Sequence, residues 1–270
     1  MTRHIFLSPH LDDIPLSCGG LLAQLTRRRQ PVAVITLFAG LPEADAPLSP
    51  FAQAHHRRWG ALQEACRLRR AEDEAALSTF GLKPVWLPFL DAIYRGQPDA
   101  GQWYYPTDEA LFGPPHPAEA GLPARLADAL RPHLSPGAVL YAPLAAGDHV
   151  DHQLTVQAAL QLARRGHPLF FYEDYPYVQR RPADLERALQ TLHRLSGDFA
   201  PWRDRPIPLT EADLATKIRA IAAYASQMEV LFGGVEAMAR LVTGYARQLG
   251  NGQPAERLWT LHSSEPDVNR

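Results

Sequence analysis

The stretch HIFLSPHLDD, residues 4–13, joins an apolar run to an imidazole and two adjacent carboxylates. Its first part, His4–Ser8, has the length and composition of a buried strand, and the polar side chains follow where that strand would end. In open α/β sheets, catalytic and ligand-binding groups gather at the carboxyl ends of the strands. The stretch therefore predicts an α/β fold with a site directly after its first strand.

The polar residues of this stretch permit two interpretations. His10 and Asp13, three residues apart, can bind one Zn²⁺ and leave Asp12 free as a base. Alternatively, Asp12 or Asp13 accepts backbone N–H bonds at the start of a helix over residues 16–29. The stretch by itself does not decide between a metal site and a helix cap.

A second polar cluster, GDHVDH at residues 147–152, follows another apolar run, Ala138–Ala142. It too lies where a strand would end. Two His/Asp clusters, each after a predicted buried strand, are not explained by helix capping alone. Together they favour a metal-binding hydrolase.

The two clusters resemble the signatures of the zinc-dependent N-acetylglucosaminyl deacetylases of the LmbE and PIG-L type, approximately Pro-His-x-Asp-Asp and His-x-Asp-His. The resemblance covers most of the chain and implies a Rossmann-like, mainly parallel sheet with the active site at its carboxyl edge. Further similar segments are Arg69–Glu72 with Ala75-Ala76 and Phe80-Gly81, Leu90–Ala92, Lys217 with Tyr224–Gln227, and Glu256–Trp259.

The resemblance implies that His10, Asp13 and His152 bind one Zn²⁺, with another divalent metal as an alternative. Asp12 would then be the general base. Two imidazoles and one carboxylate leave a fourth position open for water, which is the arrangement expected of catalytic rather than structural zinc. A carboxylate beside such a water can take its proton.

The resemblance also implies roles around the acetamide group of a substrate. His149 would polarise the amide carbonyl or stabilise its oxyanion, and Asp151 would hold that imidazole in one tautomer. Arg69 and Asp91 would bind the sugar. An ion pair between Arg69 and Glu72 on one helix is the competing explanation for that arginine.

Two positions differ from many members of the family. Ile14 stands where many carry Glu after the pair of Asp residues, and Gly147 stands where some carry Tyr. We expect oxyanion stabilisation to depend on the metal, on His149 and on a backbone N–H. The loss of one such donor can cost roughly 10²–10³ in rate.

Composition indicates an ordinary enzyme. A chain of 270 residues with 46% hydrophobic residues can fill one large domain over residues 1–270, with loop insertions near 40–58 and 96–120. A net charge of −2 gives no general attraction to nucleic acid or to an anionic membrane. Neither a signal sequence nor an apolar run of about 18 residues is evident, so we expect a cytoplasmic protein.

Two further features have modest implications. Cys18 and Cys66 do not form a disulfide framework, and we expect both to be small core residues. The aromatic residues of the second insertion could shape a sugar pocket or could simply anchor the loop.

Apolar runs alternate with helical patterns along the chain. This alternation predicts a mainly parallel sheet covered by helices on both faces. The absence of a glycine-rich dinucleotide fingerprint argues against a nicotinamide cofactor. The predicted strands are 4–8, 32–37, 84–88, 138–142, 169–172 and 258–262, and the predicted helices lie near 16–29, 59–80, 124–131, 151–165, 213–231 and 237–249.

Three functions remain open. The leading one is hydrolytic removal of an N-acetyl group from a GlcNAc-bearing small molecule or conjugate. The second is amide hydrolysis of another N-acylated natural product or thiol conjugate, and the third is sugar binding without catalysis. Retention of Asp12 beside the three expected ligands speaks against the third. Substrate choice would depend on the loops at 40–50 and 96–117, and the sequence leaves a homo-oligomer open.

Overall fold

The computed structural model describes residues 3–59, 62–197 and 202–261. Within them, seven strands form one sheet in the order β3-β2-β1-β6-β7-β9-β8, and two short strands, β4 and β5, form a separate antiparallel pair. The strands are β1 (His4–Ser8), β2 (Val32–Thr36), β3 (Val85–Trp86), β4 (Gly96–Gln97), β5 (Gln102–Trp103), β6 (Val139–Pro143), β7 (Leu169–Tyr172), β8 (Trp202–Pro208) and β9 (Ala255–Leu261).

Five neighbouring strands of the large sheet are parallel, namely β3, β2, β1, β6 and β7. The strand β9 pairs antiparallel with both β7 and β8. The chain runs outward from β1 to β2 and β3 on one side and returns to β6 on the other side of β1. The predicted mainly parallel α/β sheet is thus confirmed. The neighbours β1 and β6 define a topological switch point, where such folds place their ligand sites.

Helices cover both faces of this sheet, as expected. Every residue of β1 is buried, and its side chains alternate between the two cores: Ile5 and Leu7 pack in the core that includes α5 and α6, and Phe6 packs in the core that includes α1. The helices are α1 (Asp13–Arg27), α2 (Pro50–Trp59), α3 (Leu62–Ser78), α4 (Asp108–Leu111), α5 (Leu122–Leu130), α6 (Val150–Ala163), α7 (Tyr177–Arg180), α8 (Pro182–Ser196), α9 (Glu211–Ala222), α10 (Ala225–Phe232) and α11 (Val235–Leu249).

Two of the longer elements that the sequence analysis lacks are β8 and α8. The strand β8 has the sequence WRDRPIP, whose charged residues and two prolines suit an exposed edge but hide the alternation of a strand. The helix α8 carries an apolar stripe, Leu185, Ala188, Leu189 and Leu192, that packs on the sheet and could have been recognised from its spacing.

Some boundaries also differ. The predicted helix 213–231 is two helices, because the chain leaves helical geometry at Tyr224 (φ −84°, ψ 61°). Its start is fixed by a capping box between Thr210 and Asp213. The first insertion contains α2, and His262 at the end of the last predicted strand lies outside the described residues, as do residues 60 and 61 of the predicted helix 59–80.

Within the described part of the chain, the helices are too short or too polar to cross a membrane.

Candidate metal centre

The two polar clusters meet at the carboxyl ends of β1 and β6, which pair in parallel. His10 lies in the turn after β1, and Asp13 begins α1. His149 caps the N-terminus of α6 by accepting the N–H of Asp151, and His152 lies in the first turn of that helix. The fold therefore brings together residues that are about 140 positions apart in sequence.

The carboxylate of Asp13 lies between the imidazoles of His10 and His152. Asp13 Oδ2 lies 3.4 Å from His152 Nε2 and 3.6 Å from His10 Nδ1. Bonds of 2.0–2.1 Å from a tetrahedral Zn²⁺ to such atoms place neighbouring ligand atoms about 3.4 Å apart. Ring nitrogens of His10, His149 and His152 also lie within 4.8 Å of one another. The donor set and its spacing fit a divalent metal ion.

The second ring nitrogen of each of the two candidate histidine ligands contacts a carboxylate. His152 Nδ1 lies 2.6 Å from Asp174 Oδ1, and Asp174 Oδ2 accepts the N–H of Ala146 at 2.9 Å. His10 Nε2 lies 3.0 Å from Asp151 Oδ2. Such carboxylate partners fix the ring orientation and tautomer of a metal-binding histidine. Asp174 was not among the predicted site residues, although its place just after β7 was a signal.

The structure places Asp151 differently from the expected partnership with the His149 ring. Its fully buried carboxylate accepts from the Nη1 of Arg95 at 2.5 Å and from the N–H of Ala92 at 3.1 Å, in addition to its contact with His10. Only the backbone N–H of Asp151 reaches His149, at Nδ1 and 3.2 Å. No pattern in the sequence indicated that Arg95 lies beside this carboxylate.

The backbone contact nevertheless constrains His149. A backbone N–H can only donate, so Nδ1 of the ring must accept. Burial lowers the pKa of His149 well below its usual value, and the neighbouring His10 lowers it further. The ring is therefore neutral near pH 7, and its proton lies on Nε2, where it can be donated.

The charges around the other two imidazoles are negative. Burial alone would lower the pKa of His10, but the hydrogen bond to Asp151 and the charges of Asp91 and Asp13 raise it to about 9. Burial also opposes protonation of His152, whose pKa is nevertheless raised by its acidic neighbours. The acidic neighbours of both rings thus favour positive charge at this site, which a metal cation can supply.

A second group of potential ligands consists of His10, Asp91 and Asp151. His10 Nε2 lies 3.7 Å from Asp91 Oδ2, farther than from Asp151. The guanidinium of Arg95 already forms an ion pair with the carboxylate of Asp151. A metal cation beside that guanidinium would be repelled, so this second group is the weaker candidate.

Asp12 lies beside the three candidate ligands and is held by Arg69. The Nη2 of Arg69 lies 3.3 Å from Asp12 Oδ1, and both side chains are mostly buried. Glu72, the competing partner expected for Arg69, accepts two hydrogen bonds from Ser226, from its backbone N–H and its hydroxyl, both at 2.7 Å. The ion pair of Arg69 with Asp12 directs that arginine toward the candidate metal centre.

A cleft opens next to these residues, with Arg69 and Asp91 in its wall. Asp91 Oδ1 accepts the N–H of Ile93 at 3.1 Å, which leaves Oδ2 directed toward His10. The expectation that Cys66 is a core residue is wrong, because this thiol is only half-buried and lines the cleft, whereas Cys18 is buried in the core. Apolar and aromatic parts of the wall include Leu11, Phe38, Ala65, Ile93 and Tyr94.

The aromatic residues of the second insertion mainly anchor it. Tyr105 is buried, and Tyr104 stacks on His116 with the ring centroids 4.3 Å apart. Phe112 instead reaches the candidate site, where its ring meets the edge of His149 at 5.4 Å. One aromatic side chain of this insertion therefore borders the site.

The two departures from the family pattern have structural explanations. Ile14 is fully buried and packs in an apolar core, where a charged side chain would be costly to bury. Gly147 has φ +94°, and an added Cβ would lie 2.9 Å from the ring of Tyr177. Burial and the charges of Asp13 and Asp12 raise the pKa of Tyr177, so this phenol occupies the same neighbourhood.

The helix that carries Asp13 is interrupted after its first turn. Cys18 departs from helical geometry (φ −135°, ψ 28°). The N–H groups of Gly20 and Leu21 donate instead to the two oxygens of Glu256, at 2.8 and 2.7 Å. Lys217 Nζ lies 2.7 Å from the same carboxylate. A buried ion pair between Glu256 of β9 and Lys217 of α9 therefore stabilises the interruption.

Structural metal sites are closed by four protein ligands, whereas catalytic sites leave a position open. Here three ligand atoms converge beside a cleft at the carboxyl edge of an α/β sheet. This combination of fold and site defines a metal-dependent hydrolase.

Comparisons with known proteins agree with this class. A family model described as PIG-L, GlcNAc-PI de-N-acetylase, matches residues 5–163, and the chain belongs to that family. It is 28% identical to a 2'-N-acetylparomamine deacetylase of Niallia circulans over 242 residues, covering 85% of this chain and 82% of the relative. A 2'-N-acetylparomamine deacetylase of Streptomyces fradiae is 30% identical over 236 residues, covering 84% and 74% respectively.

The fold is also shared with solved structures. The zinc inhibited form of teicoplanin deacetylase Orf2 superimposes with a TM-score of 0.77 and 29% sequence identity, covering 98% of this chain and all of that one. Deacetylases hydrolyse an amide bond, and this family does so with a metal ion. The protein is accordingly a metal-dependent deacetylase.

Proposed function

We propose that the protein is a zinc-dependent deacetylase that removes the N-acetyl group from an amino sugar of the GlcNAc type, carried by a small molecule or conjugate. The products are acetate and a free amine. The observation that carries this proposal is the convergence of His10, Asp13 and His152 beside a cleft that contains Arg69 and Asp91. The relatives named as deacetylases of N-acetylparomamine and of teicoplanin support this substrate class.

His10 Nδ1, Asp13 Oδ2 and His152 Nε2 would hold the zinc ion. When bound, the ion supplies Lewis acidity, which lowers the pKa of a water molecule and polarises a carbonyl oxygen. Asp174 and Asp151 orient the two imidazoles by accepting from their outward nitrogens. The two imidazoles and one carboxylate also suit Zn²⁺ better than a hard cation such as Mg²⁺, which prefers oxygen ligands.

Asp12 is the proposed general base. It is adjacent to Asp13 and is paired with Arg69, so its carboxylate is held beside the reacting centre without serving as a ligand. In this role it takes the proton of the attacking water and then gives it to the amine nitrogen as the C–N bond breaks. The same group therefore acts first as a base and then as an acid.

His149 is the proposed donor to the carbonyl oxygen of the acetamide. Its ring is neutral, and its Nδ1 is occupied by the N–H of Asp151, so the proton on Nε2 is the one available. A hydrogen bond from this fixed position becomes stronger as negative charge develops on the oxygen. It lowers the barrier without requiring the ring to change protonation state.

Arg69 and Asp91 are the proposed sugar-binding residues. A guanidinium and a carboxylate in the wall of the same cleft offer charged donors and acceptors to sugar hydroxyl groups. Such contacts fix the acetamide in the geometry that reaction requires. The apolar wall beside them could also accept a longer acyl chain, which keeps amide hydrolysis of another N-acylated compound as a second candidate.

A matched series of substrates tests the proposal. The zinc-loaded protein is incubated with glycosides of N-acetyl-, N-propionyl- and N-butanoyl-glucosamine, and the free amines are detected by mass spectrometry, with Asp12→Asn as the inactive control. We expect the N-acetyl compounds to react fastest. Faster reaction of the longer acyl groups would favour the second candidate, and no release from any member of the series would contradict both.

A further inference from the structure

Arg95 links the insertion at residues 96–120 to the candidate metal centre. Its side chain is only 10% exposed. Nε and Nη2 donate to the two oxygens of Glu119, at 2.5 and 3.1 Å. Nη1 donates to Asp151 Oδ1 at 2.5 Å and to the carbonyl oxygen of Leu90 at 2.9 Å. One planar guanidinium thus binds two buried carboxylates from different parts of the chain.

The far end of this network lies inside the insertion. The hydroxyl of Tyr105 donates to Glu119 Oε2 at 2.5 Å and accepts the N–H of His116 at 2.8 Å. Tyr105 and Glu119 are 2% and 6% exposed. The guanidinium of Arg95 lies 5.3 Å from the centroid of the Tyr105 ring. The insertion is therefore folded around the same carboxylate that holds Arg95.

The near end of the network is the ligand His10. Asp151 Oδ2 lies 3.0 Å from His10 Nε2, and its other oxygen is held by Arg95. A carboxylate that accepts from Nε2 leaves Nδ1 free to face Asp13. A fully buried carboxylate is tolerated only when it is paired, so Arg95 both balances the charge of Asp151 and fixes its plane.

We propose that Arg95 is a positioning residue for the metal centre: through Asp151 it orients His10, and through Glu119 it makes that orientation depend on the folded insertion. The proposal rests on the proposed function in taking His10 as a zinc ligand. It gives the insertion a second task besides placing Phe112 against His149.

Zinc affinity is the direct readout, because a role in folding alone would not change it in a folded variant. Arg95→Lys keeps the charge but lacks the fork that binds two carboxylates. We expect it to bind Zn²⁺ at least about tenfold more weakly than the wild type. Loss of a residue that supports a metal ligand commonly weakens metal binding by about 10–100-fold. The dissociation constant is measured on metal-free protein by competition with a chelator. The visible absorption of Co²⁺-loaded protein reports the change in ligand geometry.

A matched control is Arg125→Lys. Arg125 is exposed and faces the ring of Phe89. Both residues line a second cleft, which borders the insertion. We expect its zinc affinity to match that of the wild type. Circular dichroism and thermal unfolding establish that each variant is folded. A folded Arg95→Lys protein with wild-type zinc affinity and an unchanged Co²⁺ spectrum would overturn the proposal.

Glu119→Gln and Tyr105→Phe test the part played by the insertion, and they carry the test if Arg95→Lys does not fold. Both leave the contact between Arg95 and Asp151 in place, and we expect each to weaken zinc binding several-fold. Wild-type affinity in both would refute the dependence on the insertion. Failure of the proposed function is distinguished by the wild type itself, which would then bind no zinc or release no amine.

Discussion

His152 Nδ1 and Asp174 Oδ1 lie 2.6 Å apart, and both side chains are almost completely buried. The histidine lies in the first turn of the helix that follows β6, and the aspartate follows β7, the next strand of the sheet. The contact fixes the ring so that Nε2 faces Asp13. Two neighbouring strand ends thus provide a candidate ligand and its support.

Replacing the supporting carboxylate should weaken metal binding. We expect Asp174→Asn to bind Zn²⁺ roughly 10–100-fold more weakly, because the amide no longer provides a charged acceptor to His152. Chelator competition measures the affinity. Asp148→Asn is the control, since Asp148 is in the same loop as Ala146 but is 41% exposed. Equal affinities in the two variants would contradict the role given to Asp174.

The two adjacent aspartates should have separable roles. We expect Asp12→Asn to lower kcat by roughly 10²–10⁴ while retaining zinc, because it removes a positioned proton acceptor. Asp13→Asn should lose zinc, because it removes an anionic ligand between two imidazoles. Elemental analysis and steady-state kinetics measure both effects. If Asp12→Asn lost its metal and Asp13→Asn kept it, the two assignments would have to be exchanged.

The proposed sugar-binding role of Asp91 can be separated from its structural role. Asn in its place keeps an acceptor for the N–H of Ile93, so the local turn is preserved. We expect Asp91→Asn to lower kcat/KM on a GlcNAc substrate about tenfold, which corresponds to about 1.4 kcal/mol. Asp99→Asn, an exposed change in the same segment, is the control. Unchanged kinetics in Asp91→Asn would exclude a direct contact with the sugar.

Gly147 is required by its conformation and by its neighbour. We expect Gly147→Ala to lower the free energy of unfolding by about 2–5 kcal/mol, from the left-handed backbone and the contact with Tyr177 together. Denaturant unfolding measures the change. Tyr177→Ala should relieve the steric part, so the glycine substitution should cost less in that background. Equal costs in both backgrounds would show that only the backbone conformation matters.

Asp73 should make stability depend on pH. It is fully buried, where it accepts from Trp86 Nε1 at 2.7 Å and from the hydroxyl of Tyr224 at 2.8 Å. Burial raises the pKa of Asp73 to about 7. A raised carboxyl pKa stabilises the fold fully below the unfolded value, near 3.9, and this contribution is lost as pH rises toward 7.

Asp73→Asn removes that titration. Relative to the wild type, the variant should therefore gain stability between about pH 4 and pH 7 and show a constant difference above pH 7. Thermal unfolding of both proteins across this range provides the measurement. A difference that does not vary with pH would show that Asp73 is ionised throughout.

The meeting of His10, Asp13 and His152 was expected from the family resemblance, and the sequence pattern supported it in part. Each motif follows an apolar run, and the runs form β1 and β6, whose parallel ends are adjacent. The parallel sheet itself followed from the alternation of strands and helices. What the sequence could not provide was the order of the strands, which places β1 beside β6.

The supporting residues were not predictable in the same way. Arg95 lies 56 positions from Asp151, in a segment whose local sequence resembles an ordinary loop. Its importance arises only because the fold buries it between two carboxylates. The edge strand β8 was missed for the opposite reason, since exposure removes the hydrophobic alternation that identifies a strand.

The interruption of α1 has a consequence for how the protein assembles. The N–H groups of Gly20 and Leu21 find their acceptor in Glu256, 236 and 235 positions later. Contacts between such distant residues form late, because much of the chain must be ordered first. During synthesis, the hydrogen bonds from Gly20 and Leu21 to Glu256 can therefore form only after β9 has left the ribosome. A chain that ends before β9 would leave the buried Lys217 without the carboxylate of Glu256 that balances its charge.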